Sequence, residues 1–177
     1  MDIREAQIGD APAIARVHVD SWRSTYSGIV PADYLAQLDY GQREQDCYDR
    51  IKAKRERQFI YVAQDVGEVV GFASGGPEGS GNSTYDGELY VIYILEAHQR
   101  QGIGRLLVSH LAGRLLHAGM GSMLVWVLAD NPFRRFYERL GGQPVAEQSV
   151  SIGGAELKEV AYGWRDIQIL TGMDTDA

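Results

Sequence analysis

The spacing of apolar residues changes several times along the chain, and each change predicts a different element. Apolar residues recur at helical spacing over residues 14–22 and over residues 103–115, which predicts two amphipathic helices. Residues 59–75 instead contain two β-rich runs joined by Asp65-Val66-Gly67, the pattern of a hairpin. Residues 88–95 are the strongest strand candidate, so a sheet with helices packed against it is expected.

Shorter segments complete this picture. The predicted order is one strand, two or three helices, three strands, a helix, a strand, a helix and a closing hairpin. A glycine-rich stretch over residues 75–87 predicts a mobile loop within the sheet region. The remaining strands are predicted at 2–6, 123–128, 148–152 and 157–164, and the remaining helices at 32–38, 43–54 and 132–140.

Length and composition favour one domain. The chain has 177 residues, of which 45% are hydrophobic and 23% charged, a composition typical of globular proteins. We expect residues 1–170 to form this domain and residues 171–177 to be a frayed tail. Asp10 stands before Pro12, which predicts that Asp10 is the N-cap of the first long helix.

Charge and cysteine content limit the classes of binding partner and the cellular compartment that we expect for this protein. Seventeen Lys and Arg residues against 24 Asp and Glu residues give a net charge of −7, which argues against nucleic acid or an anionic membrane as a partner and favours a cationic small substrate. Cys47 is the only cysteine, so no intrachain disulfide can form, which favours a reducing cytoplasm. We expect Cys47 to be a small core residue. The amino terminus lacks a signal-peptide pattern, and no apolar run approaches the roughly 20 residues of a membrane span.

The densest cluster of candidate functional residues lies between the strand predicted at 88–95 and the amphipathic helix predicted at 103–115. Its sequence is Gln99-Arg100-Gln101-Gly102-Ile103-Gly104-Arg105. Glycines let backbone N–H groups approach an anion at a helix start, and arginines add charged contacts, so the segment predicts a pyrophosphate site. A tight turn that needs glycine only for its geometry is the alternative. A lysine-containing phosphate loop is excluded by Arg105, and a dinucleotide fingerprint by Leu107.

This segment also carries a family resemblance. Gln99-x-x-Gly102-x-Gly104 resembles the acyl-CoA signature of the GNAT superfamily of N-acetyltransferases, and residues 131–141, with Asn131 and Phe136-Tyr137, resemble the helix of that family's acetyl-CoA site. The resemblance covers most of the chain. It implies an α/β fold of the α+β type: a mixed, mostly antiparallel sheet of six to seven strands, splayed between strands 4 and 5 and flanked by about four helices.

The resemblance further implies an enzyme that moves an acetyl group from acetyl-CoA, its acyl-donor cosubstrate, to a primary amine of a small molecule or a protein. The amine would attack directly in a ternary complex, and a homodimer is possible. The residues that would bind acetyl-CoA are Tyr93, Ile94, Leu95, Gln99, Arg100, Gln101, Gly102, Ile103, Gly104, Arg105, Asn131, Phe133 and Arg134.

An amine is mostly protonated at neutral pH, so the reaction needs a general base. Glu88 stands at the place where family members carry a catalytic carboxylate, although it could equally be a solvated residue at a strand end. Asp86 is the reserve candidate.

The departing thiolate needs an acid, and Tyr137 matches the family's acid. Its alternative is a tyrosine that only packs its ring. Asn131 could be a helix N-cap, a role compatible with contact to the pantetheine arm.

The acceptor pocket is expected among the early helices, the 75–87 loop and the last hairpin. Candidate lining residues, each of which could instead be core, are Trp22, Arg23, Tyr26, Tyr85 and Tyr90. The four histidines show no metal-ligand spacing, so no metal site is predicted.

A second class of function fits the same motifs: a GNAT-like module that binds an acyl-CoA as a sensor or structural ligand without turnover. Glu88 and Tyr137 favour the enzyme.

Overall fold

The computed structural model describes residues 1–172, in which one seven-stranded sheet separates two groups of helices. The sheet order is β1-β2-β3-β4-β5-β7-β6. The strands are β1 (Asp2–Glu5), β2 (Phe59–Asp65), β3 (Glu68–Pro77), β4 (Gly87–Ile94), β5 (Met123–Leu128), β6 (Gln143–Ile152) and β7 (Ala155–Trp164). The helices are α1 (Ala11–Thr25), α2 (Ala32–Ala36), α3 (Tyr40–Ala53), α4 (Ile103–His117) and α5 (Arg135–Arg139).

The shortest strand pairing of the sheet is the one between β4 and β5. Strands β1 to β4 pair antiparallel, as do β5, β7 and β6, but β4 and β5 run parallel and pair only at Gly87 with Met123 and Glu88 with Leu124. Beyond Glu88 the two strands part. The mixed, splayed sheet expected from the resemblance is confirmed, with five α-helices in the described chain where about four were expected.

Helices cover both faces of the sheet. Helix α4 packs on one face through the largest core cluster, which includes Leu107 and Leu111. Helices α1 and α3 pack on the other face, where Val17 meets Val62 and Phe72. The carboxyl-terminal part of α1 joins α2 in a third cluster that reaches Leu128 on β5.

Several element boundaries differ from the sequence prediction. Helix α3 begins at Tyr40 rather than at residue 43, because Asp39 caps it by accepting a hydrogen bond from the Gln42 amide at 2.7 Å. Strand β6 begins at Gln143 rather than at residue 148, since it lies at the sheet edge and its mostly exposed residues give little apolar alternation.

Asp10 stands at the N-cap position of α1, as the sequence predicted, but its side chain makes no capping hydrogen bond to that helix. Its carboxylate accepts two hydrogen bonds from the Arg4 guanidinium, at 2.7 and 2.8 Å, and one from the Gln7 amide at 2.7 Å. The guanidinium holds the pKa of the Asp10 carboxyl below its usual value. The residue therefore ties β1 to the turn before α1.

The last described residues follow a short 3₁₀ helix, Ile167–Leu170. Thr171 is bonded to the carbonyl of Gln168 through both its amide and its hydroxyl. The rest of the predicted tail, residues 173–177, lies outside the described chain. None of the helices in residues 1–172 has the length and apolar character that a membrane span needs.

Candidate active site

A cleft of about 850 Å³ opens where β4 and β5 part. Its walls come from the end of α1, from β4, from the turn that leads into α4, from β5 and from the segment that contains α5. Its lining includes Ser21, Thr25, Tyr26, Tyr90, Tyr93, Ile94, Gln99, Arg100, Gly102, Ile103, Gly104, Arg105, Trp126, Asn131, Phe133, Arg135, Phe136, Tyr137 and Arg139.

A β-bulge shapes the β4 wall. In the pairing of β3 with β4, Gly75 lies opposite Leu89 and Ser74 opposite Val91, so Tyr90 has no partner. Leu89 packs in the core cluster under α4, whereas Val91 packs with α1 on the opposite face. The bulge thus changes which side chains face α1, directly beside the opening of the sheet.

The turn between β4 and α4 holds a left-handed backbone at two positions. Arg100 has a φ of 59° and Gly102, which precedes α4, has a φ of 83°. The Gln99 side-chain amide donates a hydrogen bond to the Ile94 carbonyl at 3.1 Å and so ties the turn to the end of β4. Gln101 instead donates to the Ala97 carbonyl and is absent from the cleft wall.

Four arginines of the described chain line the cleft, although the chain as a whole is acidic. Two of them, Arg100 and Arg105, were expected from the sequence. The other two, Arg135 and Arg139, were not. They lie four residues apart on α5, a spacing that places side chains on one helix face and could have revealed them. Arg134 was predicted to line the site but lies outside the cleft.

Helix α5 is shorter than predicted, because residues 131–134 form a turn before it begins at Arg135. Asn131 therefore does not cap the helix. Its side-chain oxygen accepts a hydrogen bond from the Phe133 amide at 2.8 Å, and its side-chain nitrogen donates one to the Tyr26 hydroxyl at 3.1 Å. Asn131 thus links the end of α1 to the far wall of the cleft.

Tyr137 is 8% exposed, and the exposed part lines the cleft. Its ring stacks on Tyr162 and meets the edge of Phe136. Burial raises the pKa of its hydroxyl far above the usual tyrosine value, and Tyr26 and Tyr93 add to this rise. The hydroxyl has no hydrogen-bond partner within residues 1–172.

Glu88 is the last residue of β4 that pairs with β5, and it lies next to the point where the sheet opens. It is half-buried, and one carboxylate oxygen accepts a hydrogen bond from the Gly79 amide at 3.0 Å. Burial raises the pKa of this carboxyl; the Gly79 amide opposes the rise, and the charges of Glu78 and Glu159 add to it. Glu88 borders the cleft without belonging to its lining.

Asp86, the reserve candidate for the base, is bonded to the segment that precedes β5. Its carboxylate accepts hydrogen bonds from the Gly121 amide and from the Ser122 hydroxyl, both at 3.1 Å. These bonds join the start of β4 to the segment before β5, which is a structural role.

The predicted acceptor residues separate into two groups. Tyr26 and Tyr90 line the cleft, and Trp22 packs against Tyr26 with ring centroids 4.9 Å apart. Arg23 lies outside it, because its guanidinium donates hydrogen bonds to carbonyls at the end of α2. Tyr85 is also outside: it is 6% exposed and its ring lies against Gly163.

Leu95 was predicted to bind acetyl-CoA. Its amide instead donates to the Val70 carbonyl at 2.9 Å, which uses that donor within the sheet. In the part of the chain that the structure describes, no group of three His, Cys, Asp or Glu residues could hold a metal ion.

Comparison with known proteins agrees with this geometry. The model of a family described as "Acetyltransferase (GNAT) family" matches residues 20–142. The chain is 48% identical over 169 residues to YuaI of Bacillus subtilis (strain 168), described as an uncharacterized N-acetyltransferase, and the match covers 95% of both proteins. It is 31% identical over 102 residues to the phosphinothricin N-acetyltransferase of Streptomyces viridochromogenes, covering 56% of this chain and 55% of that protein.

Solved structures share the fold. The PaiA N-acetyltransferase of Thermoplasma acidophilum, solved with coenzyme A, matches with a TM-score of 0.72 and 18% identity over 89% of this chain and 96% of that one. YncA of Salmonella typhimurium, solved with acetyl-CoA, matches with a TM-score of 0.70 and 22% identity over 93% and 92% of the two chains.

Proposed function

This chain belongs to the GNAT family of acetyltransferases, and from that premise we propose that its cleft carries acetyl-CoA and a primary amine side by side. The chain is an N-acetyltransferase, and enzymes of this family act on amines. The observation that supports the proposal best is that the sheet opens at Glu88 into a cleft that also holds Tyr137 and four arginines.

The residues of the cleft fit coenzyme A. Helix α4 has fifteen residues, and its first amides have no partners within the helix, so they attract phosphate oxygens together with Arg100 and Arg105. Arg135 and Arg139 supply further positive charge from the facing wall. Beyond Glu88, the edge of β4 that faces β5 is free of strand pairing and fits the amide groups of the pantetheine arm.

When bound, acetyl-CoA supplies an activated acetyl thioester. We assign the role of acid to Tyr137, whose hydroxyl lies in the cleft wall and keeps its proton to high pH because it is buried. A thiol has a pKa of about 8.5, below that of Tyr137, so the hydroxyl acts by donating a hydrogen bond to the sulfur as negative charge builds up on it.

We assign the role of base to Glu88. An amine with a pKa of about 10.4 must lose a proton before it can attack, and a carboxylate at the mouth of the opening accepts that proton directly or through a water molecule. The raised pKa of Glu88 makes it a stronger base than an ordinary glutamate.

We further propose that residues 1–170 form one domain and that the protein works in the cytoplasm. Burial raises the pKa of the Cys47 thiol to about 11, which fits a core residue of a reducing compartment. A homodimer stays a prediction, which light scattering on the purified protein tests.

The function is tested by incubating the protein with acetyl-CoA and a panel of amines, with free-thiol release and product mass as readouts. We expect amine-dependent thiol release and a mass increase of one acetyl group in at least one acceptor. Stabilisation by acetyl-CoA without amine-dependent release would instead identify a binding module and contradict the proposal.

A further inference from the structure

Two buried side-chain atoms in the described part of the cleft wall, Ser21 Oγ and Trp126 Nε1, have no hydrogen-bond partner. Buried polar groups in native proteins are almost always paired, because an unpaired group loses its bond to water and gains nothing in return. Unpaired groups that gather in one place indicate a ligand that completes them.

These two atoms belong to one region. Ser21 is only 2% exposed yet lines the cleft, and Trp126 lines it from β5. Trp126 faces the same side of the sheet as Leu128, which packs with α1 residues in the third core cluster. Trp22 follows Ser21 and packs on Tyr26, but it lies outside the cleft lining and its indole N–H interacts with the Tyr93 hydroxyl, so it adds no free donor. Neither Ser21 nor Trp126 belongs to the turn or to the α5 segment that carries the arginines.

The chemistry of these groups defines the ligand. An indole N–H can only donate a hydrogen bond, and a serine hydroxyl can donate as well as accept. The Trp126 indole and the Ser21 hydroxyl therefore complement an oxygen that accepts hydrogen bonds, such as a carbonyl or carboxylate oxygen. Tyr26 adds a further donor, because its hydroxyl already accepts from Asn131 and has its own proton left.

The spacing along the sheet places this wall next to Glu88. Leu124 of β5 lies opposite Glu88, and Trp126 stands two residues further along on the same face. Two residues of a strand span about 7 Å, which accommodates an amine and a neighbouring oxygen with a hydrogen bond at each end.

We propose that the wall formed by Ser21 and Trp126 binds acceptors in which a carbonyl or carboxylate oxygen stands next to the primary amine, as in free amino acids and peptide amino termini. This inference rests on the proposed function. It disfavours simple alkylamines and polyamines, which leave the two donors unpaired.

The test compares acceptors that share a side chain and differ in the group that carries this oxygen. Phenylalanine, a tripeptide with amino-terminal phenylalanine, and 2-phenylethylamine form one set; leucine, a leucine tripeptide and 3-methylbutylamine form another. Because the amines differ in pKa, kcat/KM is calculated for the unprotonated amine, and we expect it to be on the order of 10-fold higher for an oxygen-bearing member than for the alkylamine of the same set. The better of the two oxygen-bearing members identifies the source of the acceptor.

Variants connect this preference to the wall. Trp126→Phe and Ser21→Ala are expected to reduce it on the order of 10-fold, with KM for acetyl-CoA unchanged and with no loss of melting temperature, since neither removes a bond of the free protein. Trp164→Phe is the matched control. Its indole donates to the Leu140 carbonyl at 2.9 Å, so it should lower the melting temperature and leave the acceptor preference intact.

The outcomes separate the two proposals. If no amine is acetylated, the proposed function fails. If alkylamines match their oxygen-bearing partners in the wild type, or if both wall variants keep the wild-type preference, the acceptor inference is overturned while the acetyltransferase stands.

Discussion

Gly104 and Phe136 meet at the base of the cleft so closely that a Cβ atom at Gly104 would lie 3.0 Å from Cζ of Phe136 and 3.1 Å from its Cε2. The second glycine of the signature turn therefore lets the first turn of α4 pack against the ring from α5. The first glycine of the turn, Gly102, is required for a different reason. A Cβ atom there would meet no other atom within 4 Å, but the φ of 83° lies in the left-handed region that favours glycine.

We predict that Gly104→Ala destabilises the fold by about 1–3 kcal/mol through overpacking, and that Phe136→Leu in the same chain recovers part of this loss. Gly102→Ala should cost about 1–2 kcal/mol through its backbone conformation, and Phe136→Leu should not relieve it. Urea unfolding of the single and double variants measures the coupling of each glycine substitution to Phe136→Leu. Equal rescue of the two glycine variants would contradict this distinction.

The sequence was sufficient for the main elements. Strand β5 has the bounds that its apolar run predicted, and α4 follows its apolar stripe within one or two residues. Long, strongly periodic segments carry this information locally, because each side chain faces the core at a fixed interval. The signature turn was recognised for the same reason, since its glycines and arginines are adjacent in the chain.

Residues whose role depends on a distant partner were harder to place. Arg23 looked like a pocket residue from its neighbours in sequence, but two carbonyls at the end of α2 hold its guanidinium. Tyr85 packs under Gly163, which is seventy-eight positions away. The two unpaired atoms of the acceptor wall, on Ser21 and Trp126, could not be predicted either, because an unmade hydrogen bond has no local sequence pattern.

Tyr137 is expected to contribute to turnover and not to stability. Phe at this position keeps the ring that stacks on Tyr162 and removes a hydroxyl without a partner in residues 1–172, so we predict an unchanged melting temperature. Turnover should fall by about 10² to 10⁴, the usual range for loss of a general acid. Stopped-time product assays and thermal unfolding measure the two quantities.

Tyr162→Phe is the control for that experiment, because the Tyr162 hydroxyl donates to the Glu138 carboxylate at 2.9 Å. This variant should lose about 1 kcal/mol of stability or more and keep its turnover per folded molecule. Near-normal turnover in a stable Tyr137→Phe protein would remove Tyr137 from the mechanism.

The arginines of α5 should contribute to binding of the phosphates of coenzyme A. We predict that Arg135→Gln and Arg139→Gln each weaken coenzyme A binding several-fold and reduce its sensitivity to salt, because a charged contact is removed. Arg134→Gln, on the same segment but outside the cleft, should bind as the wild type does. Calorimetry at two ionic strengths distinguishes these results, and equal losses in all three variants would show that only net charge matters.

The Arg4–Asp10 pair predicts an acid-dependent loss of stability. The folded-state pKa of Asp10 is lowered, so its contribution is complete above the ordinary aspartate pKa of about 3.9 and is lost as pH falls through the folded value. At pH 7, Asp10→Asn should reduce the free energy of unfolding by about 1–3 kcal/mol, and the difference from wild type should shrink in acid. Asp46→Asn, from the more exposed pair with Arg43 at 3.5 Å, should cost less than about 1 kcal/mol at every pH.

Glu88 should set the acidic limb of the rate profile. Burial raises its pKa, and only the carboxylate can accept a proton, so kcat/KM should rise with pH through a midpoint above the ordinary glutamate value of about 4.3. Glu88→Gln keeps the size of the side chain and removes its basicity, so the acidic limb should disappear and the rate should fall about 10²-fold or more.

Asp86→Asn is the control variant, because the Asp86 carboxylate is bonded to Gly121 and Ser122. This variant should lower the melting temperature and keep the acidic limb. If the limb survives in Glu88→Gln and is lost in Asp86→Asn, the base is Asp86, and the opening of the sheet serves only to admit the ligand.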